Sequence, residues 1–180
     1  MSSINDLTPG TWNIDPAHST VGFTARHLMI TKVHGRFTGF TGTLTIGDDR
    51  LSSSVEATID TTTVSTGDPG RDGHIQSPDF LDVASFPTMT FVSTGVSADG
   101  GDHKLAGDLT IKGITKPVSL DLEFDGVGTD PWGNHKAGFS ASTEINRKDW
   151  GLEFNVVLET GGMLVSDKIK LELDIQAVKA

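Results

Sequence analysis

Four segments in the second half of the chain alternate apolar and polar residues with a period of two. One of them, residues 105–112, puts Leu105, Gly107, Leu109 and Ile111 on one face. The other three are residues 118–124, 137–145 and 168–176. Because successive side chains of a β-strand point to opposite faces, this period predicts strands with one apolar and one polar face. Such strands are typical of antiparallel sheets that are wet on one side only.

The first half of the chain shows the same pattern with interruptions. Pro16 separates two strand-like runs, and a later run changes face between Phe37 and Phe40, where we expect a bulge at Gly39 or Gly42. About eight strands result, most of them joined by short turns. This count favours an all-β fold, an extended eight-stranded antiparallel up-and-down barrel, which leaves no sheet edge exposed. A sandwich of two sheets has similar periodicity and is the second possibility.

One long polar segment, residues 59–91, interrupts the succession of strands. It contains the charged run Arg71-Asp72-Gly73-His74-Ile75, and Ser77-Pro78-Asp79 resembles a helix start, which predicts a short helix from Ser77 to Val83. We interpret the part around residues 72–84 as a short helical lid over the barrel. The apolar triplet Leu28-Met29-Ile30 breaks the alternation and is expected at a rim of the barrel.

Composition limits the possible functions. The chain has 180 residues, which suits one domain, and a formal charge of −10, which argues against nucleic acid as a partner. It contains no cysteine, so thiolate chemistry is excluded. Residues 1–10 lack a basic patch and an apolar run, and no later segment has the ~20 apolar residues of a membrane span. We therefore expect a cytoplasmic protein that is not inserted into a membrane.

The faces predicted to point inward mix large apolar residues with small ones. The small residues are Ala25, Ala57, Gly107, Ala137 and Ala141. An eight-stranded barrel either fills its interior with side chains or holds one small ligand, and small residues are compatible with both. Periodicity alone does not decide between a packed and a hollow barrel.

Several motifs, in this order, resemble those of the YceI-like family of polyisoprenoid-binding proteins. They are Ile14-Asp15-Pro16-Ala17-His18-Ser19, Phe23 and His27, Gly35-Arg36-Phe37, Arg71-Asp72-Gly73-His74-Ile75, Phe86-Pro87, Gly107-Asp108-Leu109-Thr110-Ile111-Lys112-Gly113 and Ile145-Asn146-Arg147-Lys148-Asp149-Trp150-Gly151. The resemblance implies one lipocalin-like domain, residues 11–178, after an N-terminal extension, residues 1–10. It further implies that the apolar lumen binds an isoprenoid lipid, such as a polyprenyl carrier or an isoprenoid quinone, and that the protein is a homodimer. Many relatives are periplasmic or secreted.

The predicted binding site has two parts. The first is the lumen wall, whose candidates share an apolar side chain on an inward face: Phe23, Phe37, Ile59, Met89, Phe91, Leu109, Leu120, Leu122, Phe124, Phe139 and Ile145. The second is a polar mouth, where Arg71 or His74 donates to a headgroup oxygen beside Asp72 and His27. In the competing structural interpretation Arg71 and Asp72 form an ion pair that pins a loop, and His74 caps it or packs against it. Arg147 and Asp149 are interpreted as a rim ion pair.

Two other functions compete with noncatalytic lipid binding and transport. One is a small enzyme that acts on an amphiphile with His27 or His74 as acid or base, although no nucleophile elbow is present. The other is a structural or interaction barrel with a packed lumen. The spacings of His27 with His34 and of Asp72 with His74 match no established metal motif. We therefore predict no metal and no cofactor other than the lipid ligand.

Overall fold

The computed structural model describes residues 3–159 and 162–180, so residues 1 and 2 of the predicted N-terminal extension lie outside it. Most of the described chain is β-strand, with one short α-helix, α1 (Pro69–Gln76). The strands are β1 (Gly10–Ile14), β2 (Thr20–His27), β3 (Thr31–Phe37), β4 (Phe40–Ile46), β5 (Ser54–Asp60), β6 (Val64–Ser65), β7 (Thr88–Asp99), β8 (Asp102–Ile111), β9 (Ile114–Thr129), β10 (His135–Asn146) and β11 (Lys168–Lys179).

The strands close into an antiparallel barrel, as the alternation predicts. The order β1-β4-β5-β7-β8-β9-β10-β11 forms a ring of eight, because β1 pairs with both β4 and β11. Strand β2 pairs with the part of β11 that β1 does not cover. Strand β3 then pairs with β2, and β6 pairs with β3, so that these three strands extend the wall. The four alternating segments of the second half each fall in one strand, β8 to β11, except that Lys112 follows the end of β8. The sandwich interpretation is thereby excluded.

Two walls of the barrel are interrupted in the first half of the chain. Strands β1 and β2 follow each other along β11, and a 3-10 turn at Pro16–His18 separates them. Strands β3 and β4 likewise follow each other, with Thr38 and Gly39 between them. The bulge predicted at Gly39 or Gly42 is therefore wrong. The change of face between Phe37 and Phe40 reflects a break between two strands with different partners. Strand β3 pairs with β2 and β6, whereas β4 pairs with β1 and β5.

The barrel has two ends, which we call the lid end and the N-terminal end. The lid end comprises residues 28–30, which follow β2, residues 61–87, which connect β5 to β7, and residues 147–159 and 162–167, which lie between β10 and β11. The N-terminal end comprises residues 3–9 and residues 47–53, which connect β4 to β5. Each end contains a cluster of buried apolar residues, which includes Trp150 and Ile145 at the lid end and Trp12 and Leu7 at the N-terminal end.

The helix predicted at Ser77–Val83 is wrong, because the helix in the lid spans Pro69–Gln76 and ends where the predicted one begins. Asp68 is its N-cap, with its Oδ1 accepting from the backbone N–H of Gly70 at 2.9 Å and of Arg71 at 3.1 Å. Pro69 occupies the first helical position, where its missing N–H costs nothing. Ser77 ends the helix, since both its backbone N–H and its hydroxyl donate to the carbonyl of His74. Asp68-Pro69 and Ser77-Pro78 carry similar start signals, and the structure uses the first.

Arg147 fixes the second connection of the lid end. Its side chain is 4 % exposed, and Nε and Nη1 donate to the carbonyls of Ser166 and Leu152 at 2.8 and 2.5 Å. Burial lowers the pKa of this guanidinium, and the nearby Asp167 carboxylate opposes that shift. The predicted pairing of Arg147 with Asp149 is wrong, because the carboxylate next to Arg147 is that of Asp167, 3.8 Å from Nη2.

Candidate functional site: an apolar lumen

A cavity of about 210 Å³ lies inside the barrel between the two apolar clusters. Its wall is built by residues of β1 to β5 and β7 to β11, which contribute their inward faces. The lining is apolar apart from Arg50, Ser53 and Ser54. Cavities with a largely apolar wall bind hydrocarbon, since water finds few polar partners along such a wall. The barrel is therefore partly hollow, and its open space is suited to an apolar ligand.

Two glycines keep this space open by letting phenyl rings lie against the wall. The ring of Phe23 covers Gly35 on the neighbouring strand, where a Cβ would come within 2.2 Å of Cζ. The ring of Phe91 covers Gly107 in the same way, with a corresponding distance of 2.3 Å. Any larger residue at either glycine would push a ring toward the lumen axis. Ala57 and Ala141 also line the cavity and add to its width.

Nine of the eleven predicted wall residues line the cavity. They are Phe23, Phe37, Ile59, Met89, Phe91, Leu109, Leu120, Leu122 and Phe139. Within the described residues, Phe124 and Ile145 are not part of its lining. Phe124 packs on Phe139, with ring centroids 5.5 Å apart, and Ile145 is buried in the cluster of the lid end. Alternation indicates which face a residue occupies and does not indicate its depth in the barrel.

The four predicted mouth residues lie at the lid end, and none of them appears in the lining of the cavity. Arg71 donates from Nε to the hydroxyl of Thr66 at 2.8 Å, and Asp72 accepts from the backbone N–H of Thr66 at 2.8 Å. His27 ends β2, and its backbone bridges to Val165. Arg71 and Asp72 therefore pin the lid segment, as in the structural interpretation, although they do so through Thr66 and not through an ion pair with each other.

His74 belongs to a small aromatic group on the lid. Its Nε2 lies 2.9 Å from Asp79 Oδ2, and its ring stands edge-on to Phe80 and Phe154, with centroids 5.1 and 4.7 Å away. The guanidinium of Arg147 lies 5.8 Å from the centroid of the Phe80 ring. The group thus joins the two connections of the lid end.

The sequence reasoning missed the residues that line the cavity at the N-terminal end. Ile4, Leu7, Arg50 and Ser53 all line the cavity, although the sequence analysis interprets residues 1–10 as an extension and predicts no site residue between β4 and β5. Leu7 is fully buried. The available signal was the isolated pair of large apolar residues, Ile4 and Leu7, in an otherwise polar segment.

A second concavity lies on the outside of the barrel. It is a wide groove of about 1140 Å³ open to solvent, lined mainly by outward-facing polar residues of β8 to β11, β2 and β3. Charges of both signs face it, including the ion pair of Lys104 with Asp121. Such a surface does not suit an apolar tail.

Among residues 3–159 and 162–180, no group of three or more His, Asp or Glu side chains is arranged to hold a metal ion. In the same residues, no helix has the length and apolarity needed to cross a bilayer.

A closed antiparallel barrel with a largely apolar lumen defines a class of proteins that bind small apolar molecules inside the barrel. The model of the YceI-like domain matches residues 12–177, and the chain belongs to this family. Protein YceI of Escherichia coli is 39% identical over 163 residues, which cover 90% of this chain and 82% of that protein.

Solved structures give the same result for the fold. The YCEI protein of Campylobacter jejuni is 29% identical, with a TM-score of 0.73 over 86% of this chain and 90% of that one. A polyisoprenoid-binding domain from Saccharophagus degradans has a TM-score of 0.72 over 96% of this chain and 100% of that one, at 15% identity. The second likeness concerns the fold alone.

Proposed function

We propose that the protein binds a long-chain isoprenoid lipid, a polyprenyl lipid or an isoprenoid quinone, with its tail in the lumen, and sequesters or carries it without catalysing a reaction. The observation that carries the proposal is the cavity between the two apolar clusters, whose lining is almost entirely hydrocarbon. Membership of the YceI-like family supports lipid binding. The polyisoprenoid-binding domain of Saccharophagus degradans, which has the same fold, agrees with an isoprenoid as the ligand.

The energetics favour a tail as the main source of affinity. Each methylene group moved from water into an apolar site contributes ~0.8 kcal/mol, so a branched chain of many carbons binds without polar anchors. The cavity of about 210 Å³ is smaller than typical ligand pockets of ~300–1,000 Å³. A long tail therefore requires wall side chains to move, and Met89, with its flexible unbranched side chain, is the readiest to do so.

The positions of the histidines support a noncatalytic role. A general base must come within hydrogen-bond reach of the substrate proton. His27 and His74 are outside the lining of the cavity, and His74 is held by Asp79 and two phenyl rings. Incubation with isoprenyl esters and phosphates tests this point. Turnover that is lost in His74→Ala or His27→Ala would favour the enzyme instead.

The direct test is organic extraction of the purified protein followed by mass spectrometry. We expect an isoprenoid in the wild type and little or none in Ala141→Phe, because the added ring occupies the lumen that Ala141 lines. Val92→Phe is the matched control, since Val92 lies on the exposed face of β7. Equal lipid in wild type and Ala141→Phe, with both folded, would overturn the proposal.

We also propose that the protein forms a homodimer. Exposed apolar residues at the lid end support a contact there: Leu28, Met29, Ile30, Val156 and Val157. Light scattering after size exclusion is expected to give twice the chain mass for wild type and for Trp132→Ser, which removes an exposed apolar ring from the β9–β10 turn. Ile30→Asp is expected to give the monomer mass. A monomeric wild type would contradict the proposal.

The cytoplasmic location and the absence of any cofactor other than the lipid stay predictions. Cell fractionation and elemental analysis of the purified protein test them.

A further inference from the structure

The polar part of the cavity lining is confined to one place. Arg50, Ser53 and Ser54 lie within five consecutive residues where β4 connects to β5, at the N-terminal end. The predicted mouth residues are at the opposite end and outside the lining. A lipid has one polar end, so the location of polar groups along the lumen indicates where that end lies. In this barrel they indicate the N-terminal end.

Arg50 has unused hydrogen-bonding capacity at that location. Nη1 donates to the carbonyls of Asp48 and Gly47 at 2.6 and 3.5 Å, and Nη2 donates to the carbonyl of Asn5 at 3.2 Å. A guanidinium has five N–H donors, so these bonds leave two. Nε is one of them, and it is buried without a hydrogen-bond partner among the described residues. Buried donors are nearly always paired in native proteins, which makes this one a candidate for a ligand contact.

Arg50 also has no carboxylate within ion-pair distance among the described residues. Its bonds go to carbonyl oxygens. The carboxylate of Asp49 accepts from the backbone N–H of Leu51 instead. Ser53 accepts from the backbone N–H of Gly47, so its hydroxyl hydrogen remains available to donate. An arginine beside a hydroxyl donor is suited to a phosphate, which accepts charge-assisted hydrogen bonds.

We propose that Arg50, assisted by Ser53, binds the phosphate headgroup of a polyprenyl phosphate whose tail fills the lumen. This inference rests on the proposed function and names the headgroup and its end of the barrel. Ile4 and Leu7 line the same end, and Arg50 contacts Asn5 between them. The N-terminal segment therefore lies next to the proposed headgroup, and Arg50 touches both.

The test compares probes that share one C20 isoprenyl tail: the monophosphate, the free alcohol and a quinone. For Arg50→Gln, we expect the Kd of the phosphate to rise by about tenfold to a hundredfold, since a hydrogen bond to a charged group is lost. The Kd of the alcohol is expected to change by less than about threefold. Arg50→Lys keeps the charge and is expected to recover part of the phosphate affinity. Arg71→Gln, at the lid end, is the matched control and is expected to change neither Kd.

The outcomes separate this inference from the proposed function. If the wild type binds none of the three probes, the proposed function fails. If the wild type binds them and Arg50→Gln weakens alcohol and phosphate equally, Arg50 only holds the N-terminal segment and the inference is overturned. The inference is also overturned if the variant leaves the phosphate Kd unchanged, or if it weakens only the quinone. If Arg71→Gln weakens phosphate binding and Arg50→Gln does not, the headgroup binds at the lid end and the inference is overturned.

Discussion

The two ends of the barrel each contain an arginine next to the apolar interior, and the two arginines are used differently. At the lid end, Arg147 donates from all three of its nitrogens to the carbonyls of Ser166, Leu152 and Val165, and it lies near Asp167. At the N-terminal end, Arg50 leaves a buried Nε without a partner and lines the cavity. A partner for each of the three guanidinium nitrogens indicates a structural role. A buried nitrogen without a partner, in an arginine that lines a cavity, indicates a place for a ligand.

The comparison also shows that charge density in the sequence is a poor guide to the site. In the charged run at residues 71–74, Arg71 and Asp72 form hydrogen bonds with Thr66, and His74 forms one with Asp79. These bonds hold the lid in place. A polar residue is free to bind a ligand only when local backbone and side-chain groups leave its donors unused. The four predictions below test this difference between the two ends, beginning with the largest effect.

Arg147→Met is expected to reduce the free energy of unfolding by about 3–5 kcal/mol, because the carbonyls of Ser166, Leu152 and Val165 all lose their donor. Arg50→Met is expected to cost no more than about 1.5 kcal/mol, the range of a typical hydrogen bond. Urea unfolding followed by circular dichroism measures both. Equal losses for the two variants would remove the distinction between a structural and a ligand-binding arginine.

Trp150→Phe and Trp12→Phe compare the indole groups of the two ends. Trp150 Nε1 donates to the carbonyl of Leu109 at 2.9 Å in a buried position, whereas Trp12 Nε1 donates to the carbonyl of Thr8 at 3.0 Å in a partly buried one. We expect a loss of about 2 kcal/mol for Trp150→Phe and about 1 kcal/mol for Trp12→Phe, since the first leaves a buried carbonyl unpaired. Urea unfolding measures the difference, and the reverse order would contradict it.

Acid is expected to loosen the lid through Asp68. The backbone N–H groups of Arg71 and Gly70 lower the pKa of its carboxyl below the ordinary value of 3.8. A group whose pKa is lowered by folding stabilises the fold above its unfolded pKa, and this contribution is lost as the pH falls through the folded value. Asp68→Asn keeps the capping oxygen and removes the titration, so the fall in Tm between pH 5 and about pH 2.5 should be a few degrees smaller than in the wild type. Identical pH profiles would contradict the assignment.

His74→Phe is expected to have the smallest effect. It preserves the edge-on packing on Phe80 and Phe154 and removes only the exposed contact with Asp79. A change in the free energy of unfolding within about 0.5 kcal/mol is expected, because exposed pairs of this type contribute little. The isoprenyl phosphate Kd should be unchanged. A clear loss of lipid affinity in this variant would move the functional end of the barrel to the lid.

The sequence predicts the structure best where a single rule, the alternation of side chains along a strand, decides which residues are buried. Alternation placed β8 to β11 correctly and identified nine lining residues, since the period of a strand decides which face is buried. It did not distinguish Phe124 and Ile145, whose depth depends on packing by distant strands. The sequence contains two similar helix-start signals, Asp68-Pro69 and Ser77-Pro78. Tertiary contacts determine which of them begins a helix, and in the structure it is Asp68-Pro69. Arg50 was missed because its neighbours at residues 3–8 come from a part of the chain more than 40 residues away.

The central claim is that the lumen binds the lipid tail, and a crystal structure of the protein loaded with a C20 isoprenyl phosphate tests it most directly. We predict continuous density for the chain along Phe91, Leu109 and Leu120 inside the barrel, with the phosphate within hydrogen-bond distance of Arg50. Density for the chain only in the outer groove or on the surface of the lid, above a lumen closed by its own side chains, would contradict the claim.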